Sequence, residues 1–172
     1  LKYRVLYNRQ KIKRVYAFSE GSRMYFGIGI ERCKNIENMG LLWRSAENFG
    51  ADFIFTVGAR YRKQLTDIYN SFQRVPLYNY SDVDDLYEHL PYSCRLVGVE
   101  NSPGASDLRG YKHLPRAVYL LGAEDHGITK KAASMCHDII KIPCETGCFN
   151  VSVAAGIIMY DRTLKLSSNE VL

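Results

Sequence analysis

No stretch of the 172 residues approaches the roughly 18 consecutive apolar positions that a membrane-spanning helix requires. The opening residues, Leu1 to Arg14, are basic and aromatic, unlike the apolar centre of a secretory signal peptide. A soluble, cytoplasmic protein is the expectation. Paired cysteine spacing is also missing. The five cysteines, Cys33, Cys94, Cys136, Cys144 and Cys148, are an odd number and contain no C-x-x-C. Cys144 and Cys148 have no histidine beside them to complete a zinc site, so reduced thiols are expected and metal has no part in the chemistry. Repeats and low-complexity segments are absent as well, which leaves a single domain long enough to bury one sizeable core.

Acidic residues are scarce only at the start of the chain. Residues 1–23 carry seven basic side chains against Glu20 alone, and the rest of the chain is close to neutral, so the arm holds all of the net charge of +5. Tyr3, Tyr7, Tyr16 and Phe18 are interleaved with those charges, a pattern suited to phosphates and stacked bases. The stretch Gly21-Ser22-Arg23-Met24 also fits a vector-derived leader ahead of a start at Met24. Either way residues 1–23 are read as an arm, and 24–172 as the functional domain.

From Tyr25 onward, strand-like and helix-like segments alternate, which predicts an α/β fold with a mostly parallel sheet flanked by helices. Strands are expected at Tyr25 to Ile30, Asp52 to Val57, Val75 to Tyr80, Arg95 to Glu100, Ala117 to Gly122 and Ile139 to Ile142. Helices are expected from Met39 to Phe49, capped by Asn38 and ended by Gly50, and from Arg62 to Phe72. Others are expected from Ser81 to Leu90 through a Ser81/Asp84 capping box, and from Thr129 to Cys136. Asn101 to Leu114 reads as a long loop. Val151 to Lys165 is a helix apolar on nearly all sides, which predicts burial against both the sheet and a second subunit.

Three segments combine polar side chains with tight glycine turns that a core does not need. They are Asn35-Ile36-Glu37-Asn38-Met39-Gly40 through Arg44, Leu121-Gly122-Ala123-Glu124-Asp125-His126-Gly127, and Ile142-Pro143-Cys144 through Cys148-Phe149-Asn150-Val151-Ser152. In order and wording they resemble the three motifs of the SpoU (TrmH-like) branch of the SPOUT superfamily, from about Tyr25 to Arg162. The resemblance implies a deep C-terminal trefoil knot, an exception to the rule that chains do not thread loops. It further implies a homodimer, S-adenosylmethionine as cofactor, and methyl transfer to a ribose 2′-hydroxyl of RNA, tRNA being favoured over rRNA. Carried over by position, Val99, Gly122, Ile142, Cys148 and Phe149 would hold the cofactor, and Asn38, Arg44, Glu124 and Asn150 would form the catalytic set.

Methyl transfer is an in-line displacement at a sulfonium, and it needs orientation and some activation of an oxygen nucleophile. Arg44 suits a phosphate grip and charge stabilisation rather than proton abstraction, because a guanidinium stays protonated. Glu124 would orient Asn38 or Arg44, and Asn150 would cap the last helix while aiming its amide at the nucleotide. Gly122 would let the backbone approach the adenosine. Taken singly, each has a plainer reading: Asn38 and Asn150 as caps, Arg44 and Glu124 as an ion pair, His126 as a solvent-exposed histidine. The chain departs from the family at Cys148, where serine is usual, and a thiol hydrogen-bonds more weakly than a hydroxyl. That leaves a catalytically inactive knotted RNA-binding protein as the alternative. A dinucleotide fingerprint at Gly27-Ile28-Gly29 fails for want of a third glycine at Arg32.

Overall fold

Strand β1 (Tyr25–Glu31) is buried at every residue after the first, as expected of a strand covered on both faces. The computed structural model describes residues 24–59, 74–145 and 147–167. Across them run β1, α1 (Ile36–Phe49), β2 (Phe53–Val57), β3 (Leu77–Tyr80), α2 (Val83–Glu88), β4 (Arg95–Val99), β5 (Ser106–Asp107), β6 (Arg116–Leu121), α3 (Lys130–Met135), β7 (Asp138–Lys141) and α4 (Val151–Ser167). The strands form one seven-stranded sheet in the order β3-β2-β1-β6-β4-β7-β5, and every pairing is parallel. One core lies between the sheet and α1 with α4, the other between the opposite face and α2 with α3. The expected α/β class with flanking helices is therefore observed. The basic arm and the Arg62 to Phe72 helix fall outside the described residues.

The two glycines of β1 have a packing reason. A Cβ on Gly27 would lie 2.1 Å from the ring of Phe53, and one on Gly29 would lie 2.3 Å from the backbone oxygen of Phe55. Their missing side chains admit the neighbouring strand, not a dinucleotide.

Three expectations need correction. The cap of α1 is Asn35, whose Oδ1 accepts the Glu37 N–H at 2.9 Å, and Asn38 is buried inside the first turn with its side chain free for other partners. Gly50 ends that helix as expected, in the left-handed conformation at φ 75°. The cap of α2 is Asp82, accepting the Asp85 N–H at 3.0 Å, while the Asp85 carboxylate accepts the N–H of Ser81 at 2.7 Å. The cap is thus one residue later than read, because Ser81 and Asp82 both have capping side chains. Finally, the Asn101 to Leu114 loop is not structureless: β5 adds an edge strand on β7, and residues 108–110 form one 3-10 turn.

Helix α4 is fixed to the sheet by buried polar groups. Arg162 donates to the carbonyls of Leu114 at 2.5 Å and Pro115 at 2.8 Å, and its guanidinium stands 4.8 Å over the Phe26 ring. Beside it, His113 reaches the Tyr119 hydroxyl at 2.7 Å and the Asp161 carboxylate at 2.9 Å. A neutral imidazole protonated at Nε2 satisfies both contacts, donating to Asp161 and accepting from Tyr119.

Candidate functional site

The C-terminal ends of β4, β6 and β7 carry the glycine-rich turns, and ligands of open parallel sheets bind outside those ends. Here Val99 closes β4, Gly122 follows β6 and Ile142 follows β7, and together with Cys148 and Phe149 they wall one open cleft. All five residues expected to hold a cofactor are therefore brought to one place. The cleft is an open one at the edge of the sheet, with room for a ligand against its wall. Its wall is largely apolar, with Leu121, Val151 and Ala154 behind Val99 and Ile142, and it is polar where Glu100, Asn101 and the turn backbone face it.

A second cleft adjoins the first. It is lined by Cys33, Lys34, Asn35 and Asn38 on one side and Asp125 on the other, and it shares Ala123, Glu124 and Val151 with its neighbour. Lys34 forms an ion pair with Asp125 across its mouth, and that hydrogen bond holds the Asp125 carboxyl below its usual range. Burial, and then the nearby Glu124, pushes the Cys33 thiol upward, so it stays protonated at neutral pH.

Three members of the expected catalytic set meet at the boundary of the two clefts. Asn38 Nδ2 donates to Glu124 Oε1 at 2.6 Å, and Asn150 Nδ2 donates to the same oxygen at 2.9 Å and to Asn38 Oδ1 at 3.1 Å. Asn150 also caps α4 through its Oδ1, which accepts the Ser152 N–H at 3.0 Å. The segments that supply them are far apart in sequence, so this network requires the complete fold. Arg44 is not part of it: it is exposed on α1, lines neither cleft, and makes no ion pair with Glu124. Glu124 thus orients Asn38 and Asn150 rather than Arg44. His126 is exposed, as expected, with Nε2 3.3 Å from Asp125.

The reason for glycine at 122 also differs from expectation. A Cβ there would lie 1.9 Å from the carbonyl carbon of Gly127, so the position is closed by the chain's own turn before any ligand is considered. Two acids missed in the sequence hold that turn. Glu31, buried at the end of β1, accepts the Thr129 N–H at 2.7 Å and its hydroxyl at 2.8 Å. Glu100 accepts the N–H groups of Asn101 at 3.0 Å and Ile128 at 2.9 Å. The available signal was an acid ending an apolar strand: Gly29-Ile30-Glu31 and Gly98-Val99-Glu100. Ser152, in the third motif, supports the network from beneath. Its hydroxyl is buried and donates to Asn150 Oδ1 at 2.6 Å.

No curated protein sequence matches this chain. Among solved structures it is similar to the SpoU methyltransferase AviRb from Streptomyces viridochromogenes in complex with AdoMet, with a TM-score of 0.75 and 18% identity over 94% of this chain and 63% of that one. It is similar to an AdoMet-bound rRNA methyltransferase from Sinorhizobium meliloti, with a TM-score of 0.74 and 19% identity over 88% of this chain and 58% of that one. The TrmH/SpoU tRNA modifying enzyme of A. aeolicus gives a TM-score of 0.76 and 19% identity over 87% of this chain and 79% of that one. The chain therefore spans about three fifths of the first two relatives. At these identities the likeness establishes the fold. A family model matches residues 26–160, nearly the whole described span, and by that match the chain belongs to the SpoU rRNA Methylase family.

Proposed function

We propose that this chain transfers a methyl group from S-adenosylmethionine to a ribose 2′-hydroxyl of RNA, with tRNA favoured over rRNA. The observation that carries this reading is the adjacency of the two clefts, with Asn38, Glu124 and Asn150 hydrogen-bonded at their boundary. The first cleft suits an adenosine: apolar walls for the ring, turn backbone and Asn101 for its polar edges, and Glu100 within the lining for hydroxyls. When bound there, the cofactor supplies an electrophilic methyl on a sulfonium. Val99, Gly122, Ile142, Cys148 and Phe149 hold it, Asn38 and Asn150 position the nucleotide, and Arg44 grips its phosphate. Two solved relatives support the choice of RNA: one is a tRNA modifying enzyme, the other comes from work on 2-OH methylation of C/U34 on tRNA, with a TM-score of 0.73 and 17% identity over 86% of this chain.

The same reading includes a cytoplasmic homodimer and the trefoil knot of the family. Val153, Tyr160 and Leu164 on α4 and Leu41 on α1 are the exposed apolar side chains that a second copy would cover. The test is transfer of a labelled methyl group from S-adenosylmethionine to bulk RNA, followed by nuclease digestion and identification of the labelled nucleoside. Label on a ribose of tRNA is the expected result. Label on a base overturns the ribose assignment, and no incorporation into any RNA favours the inactive RNA-binding alternative.

A further inference from the structure

Transfer to a hydroxyl releases a proton, and the proposed function leaves its destination open. A guanidinium is a poor acceptor, because it stays protonated. The two clefts share Ala123, Glu124 and Val151, so Glu124 has the only ionisable side chain on both walls among the described residues. Both amide donors go to one of its oxygens: Asn38 and Asn150 bond Oε1 at 2.6 and 2.9 Å. Among the described residues nothing donates to Oε2, and the residue is exposed to the clefts.

Resting on the methyltransferase reading, we infer that Glu124 Oε2 accepts the 2′-hydroxyl proton. As the bond from O2′ to the methyl carbon forms, the carbon–sulfur bond breaks with its electron pair left on sulfur, and the O2′ proton passes to Oε2. The resulting carboxylic acid later returns that proton to water. The two amides fix the carboxylate through Oε1, so the accepting oxygen is aimed without being consumed by the network. Other titratable groups lining the two clefts are Glu100, Cys144 and Cys148 in the first and Cys33, Lys34 and Asp125 in the second, with His126 beside Asp125. The pH profile is therefore assigned by substitution at Glu124.

Glu124→Gln keeps an oxygen for the two amides and replaces the free oxygen with an N–H donor. The expected result is cofactor affinity by calorimetry close to wild type, single-turnover transfer slower by at least about 100-fold, and loss of the acid limb of the rate profile. A binding experiment without cofactor supplies a second readout. It uses a synthetic RNA stem-loop containing the nucleotide labelled in the transfer assay, with ribose or 2′-fluoro at that position. Fluorine has no proton to offer a carboxylate, so the wild type binds the fluoro RNA about tenfold more weakly, and Glu124→Gln removes that preference. Transfer by Glu124→Gln within a few-fold of wild type, an acid limb that survives the substitution, or equal wild-type affinity for both RNAs would each overturn the inference alone. A wild-type chain that methylates no RNA overturns the methyltransferase reading and this inference with it.

Discussion

Asn38 and Asn35 are both asparagines at the start of one helix, three residues apart, and side-chain propensity cannot choose between them as the cap. The structure gives that task to Asn35, which leaves Asn38 buried and directed at Glu124. The polar residues of the site were legible in the sequence because a core has no use for them; their partners were not, since hydrogen-bond direction depends on contacts spanning 86 and 112 positions. Gly122 was legible as an obligatory glycine, but the neighbour that obliges it, Gly127, was not. Arg44 gives the sharpest test at this scale. Because it lines neither cleft, Arg44→Ala is expected to leave calorimetric cofactor binding near wild type. Methyl transfer falls on the order of 100- to 1,000-fold if its charge stabilises the transition state. Arg44→Lys restores little where the planar fork is needed and much where charge suffices. Near-normal single-turnover transfer by Arg44→Ala would remove this residue from the mechanism.

At the level of elements, the side of α4 that packs on the sheet was legible. Val151, Ala154, Ala155, Ile158 and Arg162 are buried as their spacing predicts, and Val153 and Tyr160 stand exposed on the other face. Strand β5 was not legible, because two residues are too short for any periodicity to show. Neither was the polar anchor under α4, assembled from a loop, a strand and a helix. Burial lowers the His113 pKa, outweighing the attraction of Asp161; Arg162 and Lys165 push it the same way as burial. A histidine held neutral in the fold takes up its proton more readily when the chain unfolds, near the ordinary value of about 6.5. The contribution of this site to stability is thus fully present above that pH and is lost as pH falls below it. Thermal melting stepped from about pH 7.5 to about 5.5 is expected to show a fall in the wild type that His113→Gln makes shallower. Parallel pH profiles for the two proteins would show that His113 is not the group responsible.

At the scale of the whole molecule, the packed pair α1 and α4 carries four large apolar side chains that are each at least half exposed: Leu41, Val153, Tyr160 and Leu164. Water contact over such side chains is unfavourable, and a second copy packed against them would relieve it. Sedimentation equilibrium at micromolar concentration is expected to give twice the 19.7 kDa chain mass, and Tyr160→Glu with Leu164→Glu to give the monomer. A wild-type monomer at that concentration would contradict the dimer. The parallel, helix-flanked sheet was legible from alternating segments, whereas the order of its strands, which depends on crossovers between distant parts of the chain, was not.

That strand order has a kinetic consequence. Tyr25 pairs with Arg116, and β4 is paired with β6 on one edge and with β7 on the other, so the neighbours in the sheet are distant in sequence. Pairings of such long sequence separation cost loop entropy before they return contact energy, so folding is slow for a chain of this size. Both clefts draw on Val151, at the start of α4, and therefore exist only when that helix has docked. Neither cleft is complete before Val151 has been made and its helix docked, so both arise together in one step rather than strand by strand.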